Sequence, residues 1–185
     1  MTGSEARFAY VGSYTRGAPG GGGTLAATGI SIFAVEPATG ALTFIHTVET
    51  DNPSWLALHP TQHFLYAVNE IDDFRGASSG SVESYAIAAE SGALTLLNEQ
   101  SSEGLWPAHL TVDPTGAFAV VADYSGPFVV LPIEEDGILG TASDIVQNAG
   151  VCGGRTREVY QTRPLSSNIG LWALLLLSQM RSSPQ

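Results

Sequence analysis

The sequence predicts an all-β chain, a partial β-propeller of about three four-stranded antiparallel blades, followed by an irregular or short-helical C-terminal tail. Three observations carry this. A whole unit of sequence recurs, each unit reads as four short strands separated by turn signals, and no sustained helical period appears before residue 150.

The repeat is direct. "PSWLALHPTQHFLYAVNE" (Pro53–Glu70) aligns without a gap with "PAHLTVDPTGAFAVVADY" (Pro107–Tyr124). "TGALTFI" (Thr39–Ile45) matches "SGALTLL" (Ser91–Leu97), and "FAYVGSY" (Phe8–Tyr14) is a third copy of the phenylalanine-anchored strand. Phe8, Phe64 and Phe118 are spaced by about 55 residues, close to the ~50-residue period of some propeller blades. A β-sandwich would also give short strands, but the recurrence of a whole four-strand unit decides for the propeller.

Within the complete unit, the first strand is Pro53–Leu58, with Trp55, Leu56 and Leu58 as its apolar set. The "HPTQ" segment then reverses the chain, because proline and small polar residues favour tight turns. The second strand is Phe64–Asn69, the third Ser81–Ile87 and the fourth Ala93–Asn98, with Ser91-Gly92 between the last two. The next unit repeats this as Pro107–Val112, Phe118–Asp123, Pro127–Leu131 and a weaker fourth strand around Ile138. Phe8–Tyr14 aligns with second strands, so the first blade begins without its inner strand.

The chain has 185 residues, a net charge of -11 and a pI near 4.5. It contains no lysine, and seven arginines are its only fixed cations. Phosphate-backbone recognition needs clustered Lys and Arg, so nucleic acid is excluded as an expected partner. The single cysteine, Cys152, fits a reducing compartment. Met1–Tyr10 lacks a signal-peptide pattern, and the longest apolar stretch, Leu171–Leu177, is too short to span a bilayer. The expectation is a soluble, cytoplasmic protein with no membrane partner.

Composition changes after Gly150. Before it the cations are Arg7, Arg16 and Arg75; after it come Arg155, Arg157, Arg163 and Arg181, with Glu158 the one acid. Residues 7–150 therefore read as the propeller portion and 151–185 as a divergent tail in which "LWALLLL" could form a short helix. A frameshift, splice or gene-model change, a shortened paralogue and a helical cap all fit that break. The last blade is left with an open edge, suited to self-association.

Strand polarity locates a site. The "HPTQ" and "DPTG" hairpins lie at one end, so the start of each first strand and the end of each second strand meet at the other. Asn52, Ser54, Trp55, Asn69 and Glu70 gather there, with Trp106, His109, Asp123 and Tyr124 from the next blade and Ser13, Tyr14 and Arg16 from the first. A polar concave mouth is the default ligand site. Each residue also has an ordinary role open to it. His109 could bond a neighbouring backbone, Glu70 its following loop, Asn69 and Asp123 an Asx turn, and Trp55 and Trp106 plain packing. His59 reads as a turn residue, and His46 and His63 as ordinary strand and turn residues. The glycine run Gly17–Gly23 lacks the Gly-Lys-Ser/Thr ending of a phosphate loop and reads as a connection. No Cys/His metal spacing occurs, and no cofactor is expected.

These phrases resemble the seven-bladed lactonase family, which includes bacterial 6-phosphogluconolactonases and fungal carboxymuconate cyclases. The resemblance rests on "YVGSYT", "GISIFAVEPATGALT", "NPSWLALHPTQHFLYAVNE" and "PAHLTVDPTGAFAVVADYSG", and covers roughly Phe8 to Gly150. It implies a ring about twice this length, with the first blade's inner strand supplied from the far C-terminus. It also implies a small sugar lactone as partner. Lactone hydrolysis needs a general base, donors for the oxyanion and, for a phosphorylated substrate, arginine. The family's Pro-x-His phrase falls on Pro107-Ala108-His109, so His109 and Glu70 are the expected catalytic pair. Arg16, Tyr14, Asn69 and Asp123 are the expected substrate-binding residues, and Arg75 lies at the same end. The alternatives are a non-catalytic truncated propeller or interaction module, and a carboxymuconate-type cycloisomerase.

Overall fold

The computed structural model describes residues 7–16 and 28–147. They form three antiparallel sheets. Sheet one is β1 (Phe8–Gly12), β2 (Gly29–Val35) and β3 (Leu42–Glu49). Sheet two is β4 (Pro53–Leu58), β5 (Phe64–Asn69), β6 (Ser81–Ile87) and β7 (Leu94–Ser101). Sheet three is β8 (Leu105–Val112), β9 (Phe118–Ser125), β10 (Phe128–Pro132) and β11 (Asp144–Val146). Strand order follows sequence order in every sheet, so each is a simple meander, and among the described residues sheet one has three strands. A compact unit ends at Ile145. The glycine run and the tail from residue 151, with its expected helix, lie outside the described residues. No helix among the described residues is long and apolar enough to cross a membrane.

The central strand β5 shows why three sheets stack. Alternate residues of a strand point to opposite faces. Leu65 and Ala67, with Tyr85 of β6, pack on Ile30 of sheet one. Tyr66 and Val68, with Val82, pack on Leu110, Val121 and Leu131 of sheet three. Both faces of sheet two are thus covered, and Leu65–Asn69 is buried throughout. The first strands of sheets two and three, β4 and β8, approach each other, and β1 of sheet one approaches β4, which gathers these edges on one side of the stack.

The fourth strand of sheet three differs from expectation. Residues around Ile138 do not form it; β11 at Asp144–Val146 pairs with β10 instead. Ile133 and Leu139 bridge each other across a turn at Gly137, whose φ is 84°. Side chains of sheet two hold this excursion. Asn98 and Gln100 donate to the Leu139 carbonyl at 2.7 and 2.9 Å, and the Leu139 amide donates to Asn98 Oδ1 at 3.0 Å. With the Leu139 backbone engaged there, the pairing edge of β10 is left for β11.

Two irregularities position the site. In both inner strands the register shifts just after a proline, between Pro53 and Trp55 and between Pro107 and His109. Proline has no N–H for the ladder, and a bulge there re-aims the following side chain. The residue before each proline, Asn52 or Trp106, has a positive φ, 44° or 57°.

Candidate active site

Asn52 ties the first two sheets together at the mouth. Its Oδ1 accepts from the amides of Thr15 and Arg16, both at 2.8 Å, and its Nδ2 donates to the Glu70 carbonyl at 3.1 Å. Its own amide donates to Thr15 Oγ1 at 3.0 Å, and its carbonyl accepts from the Glu70 amide at 2.9 Å. Asparagine tolerates the left-handed backbone this position requires, and its side chain supplies both a donor and an acceptor.

That clamp brings Tyr14 to Glu70. The phenol donates to Glu70 Oε2 at 2.7 Å, and Glu70 is almost fully buried. Burial, then the hydrogen bond and charge of Glu70, push the Tyr14 phenol up to about 12. It therefore stays protonated as a donor at neutral pH. The carboxylate of Glu70 is held by another sheet, not by its own following loop.

The second pair lies on the inner strands. The rings of Trp55 and His109 are 4.3 Å apart, tilted by 41°. Burial lowers the His109 imidazole below its ordinary value, which keeps it neutral and able to accept a proton at pH 7. Trp55 is 42% exposed, so the pair is open to the channel side of the sheets. Trp106 donates its amide to the Ile71 carbonyl at 3.0 Å and sets its ring edgewise to Tyr124 at 6.4 Å.

The side chains of the remaining expected residues are engaged by other groups. Arg16 is paired with Asp51 at 2.6 Å and with Asp73 at 2.8 Å. Arg75 pairs with Glu99 at 3.1 Å and lies over the Phe74 ring. Asn69 donates to Thr50 Oγ1 at 2.6 Å and to the Asp51 carbonyl at 2.8 Å. Asp123 accepts from Ser102 at 2.7 Å, packed among Gly104 and Gly126, and burial pushes it up to about 7. Asn69 and Asp123 thus turn into the interfaces between sheets, and neither makes the local Asx turn that its position suggested. His59 does serve the hairpin, with Nδ1 2.8 Å from Thr61 Oγ1. Among the described residues no group of three His, Cys, Asp or Glu side chains could hold a metal ion.

Sequence reasoning missed Glu83. It is buried, its two oxygens lie 2.7 and 2.8 Å from Thr50 Oγ1, and the Tyr85 hydroxyl donates to it at 2.5 Å. Its signal was a lone acid inside the third strand, on the same face as Tyr85.

The sequence model described as "Lactonase, 7-bladed beta-propeller" matches residues 8–164. A 6-phosphogluconolactonase of Bacillus subtilis is 33% identical over 132 residues, covering 70% of this chain and 34% of that protein. One from Formosa agariphila is 32% identical over 119 residues, 64% of this chain and 31% of that protein. Among solved structures, the periplasmic gluconolactonase of Pseudomonas aeruginosa matches with a TM-score of 0.64 and 28% identity, over 77% of this chain and 38% of that one. A Bacteroides fragilis protein gives 0.66 and 34%, over 87% and 40%. The chain spans about a third of the length of the curated relatives it matches. With three meander sheets stacked through apolar clusters on both faces of the middle one, and this match across most of its length, the chain belongs to the seven-bladed β-propeller lactonase family.

Proposed function

We propose that these blades carry part of the active site of a sugar-lactone hydrolase of the 6-phosphogluconolactonase type. The observation that carries the reading is the His109 ring set 4.3 Å from Trp55 on the inner strands of a chain in this family. In this reading a water oxygen bonds to the lactone carbonyl carbon while His109 takes its proton. The ring C–O bond then breaks, and the proton is delivered to the departing ring oxygen, giving the open hydroxy acid. Trp55 fixes the imidazole plane and offers a face to the sugar. Tyr14 supplies a hydroxyl at the mouth, and Glu70 orients it. Asn69 and Asp123 support the mouth from within the sheet interfaces. Arg16 meets a substrate anion only by exchanging one of its two carboxylate partners. Location in the cytoplasm and self-association through the open edge of the last blade belong to the same proposal. Cell fractionation tests the first, and sedimentation at several concentrations tests the second.

A second reading, a non-catalytic propeller or interaction module, is favoured by Arg16, the cation expected to meet a substrate anion, being paired with Asp51 and Asp73. Hydrolysis of 6-phosphogluconolactone by the 185-residue chain, measured against spontaneous opening, separates the two. Acceleration that falls about a hundredfold or more in His109→Gln supports the hydrolase. Acceleration that His109→Gln leaves intact moves the chemistry elsewhere, and none in the unaltered chain supports the second reading.

A further inference from the structure

Asn52 and Trp106 occupy the same position in consecutive repeats, each just before a proline, and both hold the left-handed backbone, with φ of 44° and 57°. The two residues use that backbone differently. Asparagine tolerates it, and the Asn52 side chain bonds the Thr15 and Arg16 amides and the Glu70 carbonyl. A bulky ring there is an outlier, and strain of this kind gathers at ligand sites. The indole cannot repeat the clamp, because it has one donor and no acceptor. Neither apolar cluster includes its ring.

Trp106 instead meets the Tyr124 ring, edgewise at 6.4 Å. Tyr124 sits at the repeat position of Glu70, yet it is 73% exposed where Glu70 is 9%. Among the described residues no hydrogen bond engages the indole N–H or the Tyr124 hydroxyl. The unpartnered side-chain atoms that are buried are Ser54 Oγ, Asn69 Oδ1 and Asp123 Oδ2, so the indole N–H reaches solvent. Two aromatic faces and two unspent donors therefore lie open at the mouth. They share β8 with His109, which is at most roughly 10 Å of strand from Trp106.

We propose that Trp106 and Tyr124 form the platform for the sugar portion of the substrate, a claim that takes its substrate class from the sugar-lactone reading above. A C–H-lined face of the sugar stacks on the aromatic pair, and its hydroxyls accept from the indole N–H and the phenol O–H. An aromatic body with a polar tip suits a ligand that is itself apolar on its faces and polar at its rim. Neutral recognition also fits the charges nearby, since Arg16 and Arg75 are both held in ion pairs. A lactone with its carbonyl at His109 extends its hydroxylated end toward the platform, so Trp106 and Tyr124 set specificity while His109 keeps the chemistry.

NMR titration of the 185-residue chain with methyl β-D-glucopyranoside tests this, read at the indole N–H signals and the Tyr124 amide. Glycerol is the control, offering hydroxyls without a ring face. The expected result is a saturable shift of the Trp106 indole with the glucoside and none with glycerol. Trp106→Asn installs the residue of the preceding blade and should weaken binding about tenfold, with an equal or higher melting temperature. Trp106→Phe keeps a ring without the N–H and should lose less. In hydrolysis of D-glucono-1,5-lactone, Trp106→Asn should raise KM about tenfold and leave kcat within about twofold. No saturable shift, an equal shift with glycerol, or a melting temperature lowered by several degrees in Trp106→Asn overturns the platform. Glucoside binding at Trp106 without lactone turnover supports the platform and removes the hydrolase reading. Turnover that requires His109, with a KM that Trp106→Asn leaves unmoved, overturns the platform alone.

Discussion

The rings of Trp55 and His109 lie 4.3 Å apart, and the two residues occupy the same position in consecutive repeats, each just after a proline-induced shift of register. One local geometry, used twice, aims an indole and an imidazole at each other across neighbouring blades. Among the described residues no hydrogen bond occupies either nitrogen of His109, which keeps both available for chemistry.

Titration of the His109 imidazole, followed by NMR, should give a midpoint below the ordinary value of 6.5, because burial disfavours the charged form. Trp55→Ala uncovers the ring and should return the midpoint toward 6.5. Because the unfolded chain binds the proton more readily, this group weakens the fold as pH falls through that range. A midpoint that Trp55→Ala does not move would assign the shift to another neighbour.

Asp123 is held up to about 7, against an ordinary 3.8, by burial. The folded state then binds the proton more tightly than the unfolded one. Stability should be greatest below about pH 4, decline as pH rises toward 7, and level off above it. Asp123→Asn copies Asn69, its counterpart in the preceding blade. It should flatten that profile and raise stability at pH 8 by about 1 kcal/mol or more. Urea unfolding of both proteins across the pH range checks this, and parallel profiles would refute it.

Asn52→Ala removes the acceptor for two amides and the donor to the Glu70 carbonyl in one step. Leaving buried backbone groups unpaired should cost about 2–3 kcal/mol in denaturant unfolding. Asn52→Gly keeps the positive φ but not the side chain and should cost nearly as much, which separates the hydrogen bonds from backbone conformation.

Gln62 and Gly116 are equivalent hairpin residues, with φ of 60° and 79°. Side chains are disfavoured there by roughly 1 kcal/mol. Gln62→Gly should therefore raise the melting temperature by a few degrees. Gly116→Ala should lower it by more, since a Cβ would fall 2.1 Å from His59 Nε2 in the neighbouring hairpin.

The architecture was legible because it is written as a repeat. Phe64–Asn69 and Phe118–Asp123 announce themselves as second strands by alignment with each other, and Phe8–Tyr14 aligns with both. The fourth strand of sheet three was not legible. Its position depends on Asn98 and Gln100 capturing the Leu139 backbone from another blade, a contact about 40 residues away that no local pattern encodes.

The site divided along the same line. Strand polarity alone brought Tyr14, Asn52, Trp55, Glu70 and His109 to one end, because a meander must return its second strand to where its first began. It could not say which way each side chain turns there. Arg16 looked free for an anion, but two aspartates on neighbouring loops neutralise it. Asn69 and Asp123 read as substrate-binding or Asx-turn residues, but their strands point them into the interfaces between sheets, where burial raises the Asp123 carboxyl and leaves one side-chain oxygen of each without a hydrogen-bond partner. The sequence by itself determined the repeat, the strand order and the end of the molecule where chemistry gathers, since these follow from period and connectivity. Only the tertiary structure decided the partners, because a side chain's charge state and hydrogen bonds are set by whichever blade packs against it.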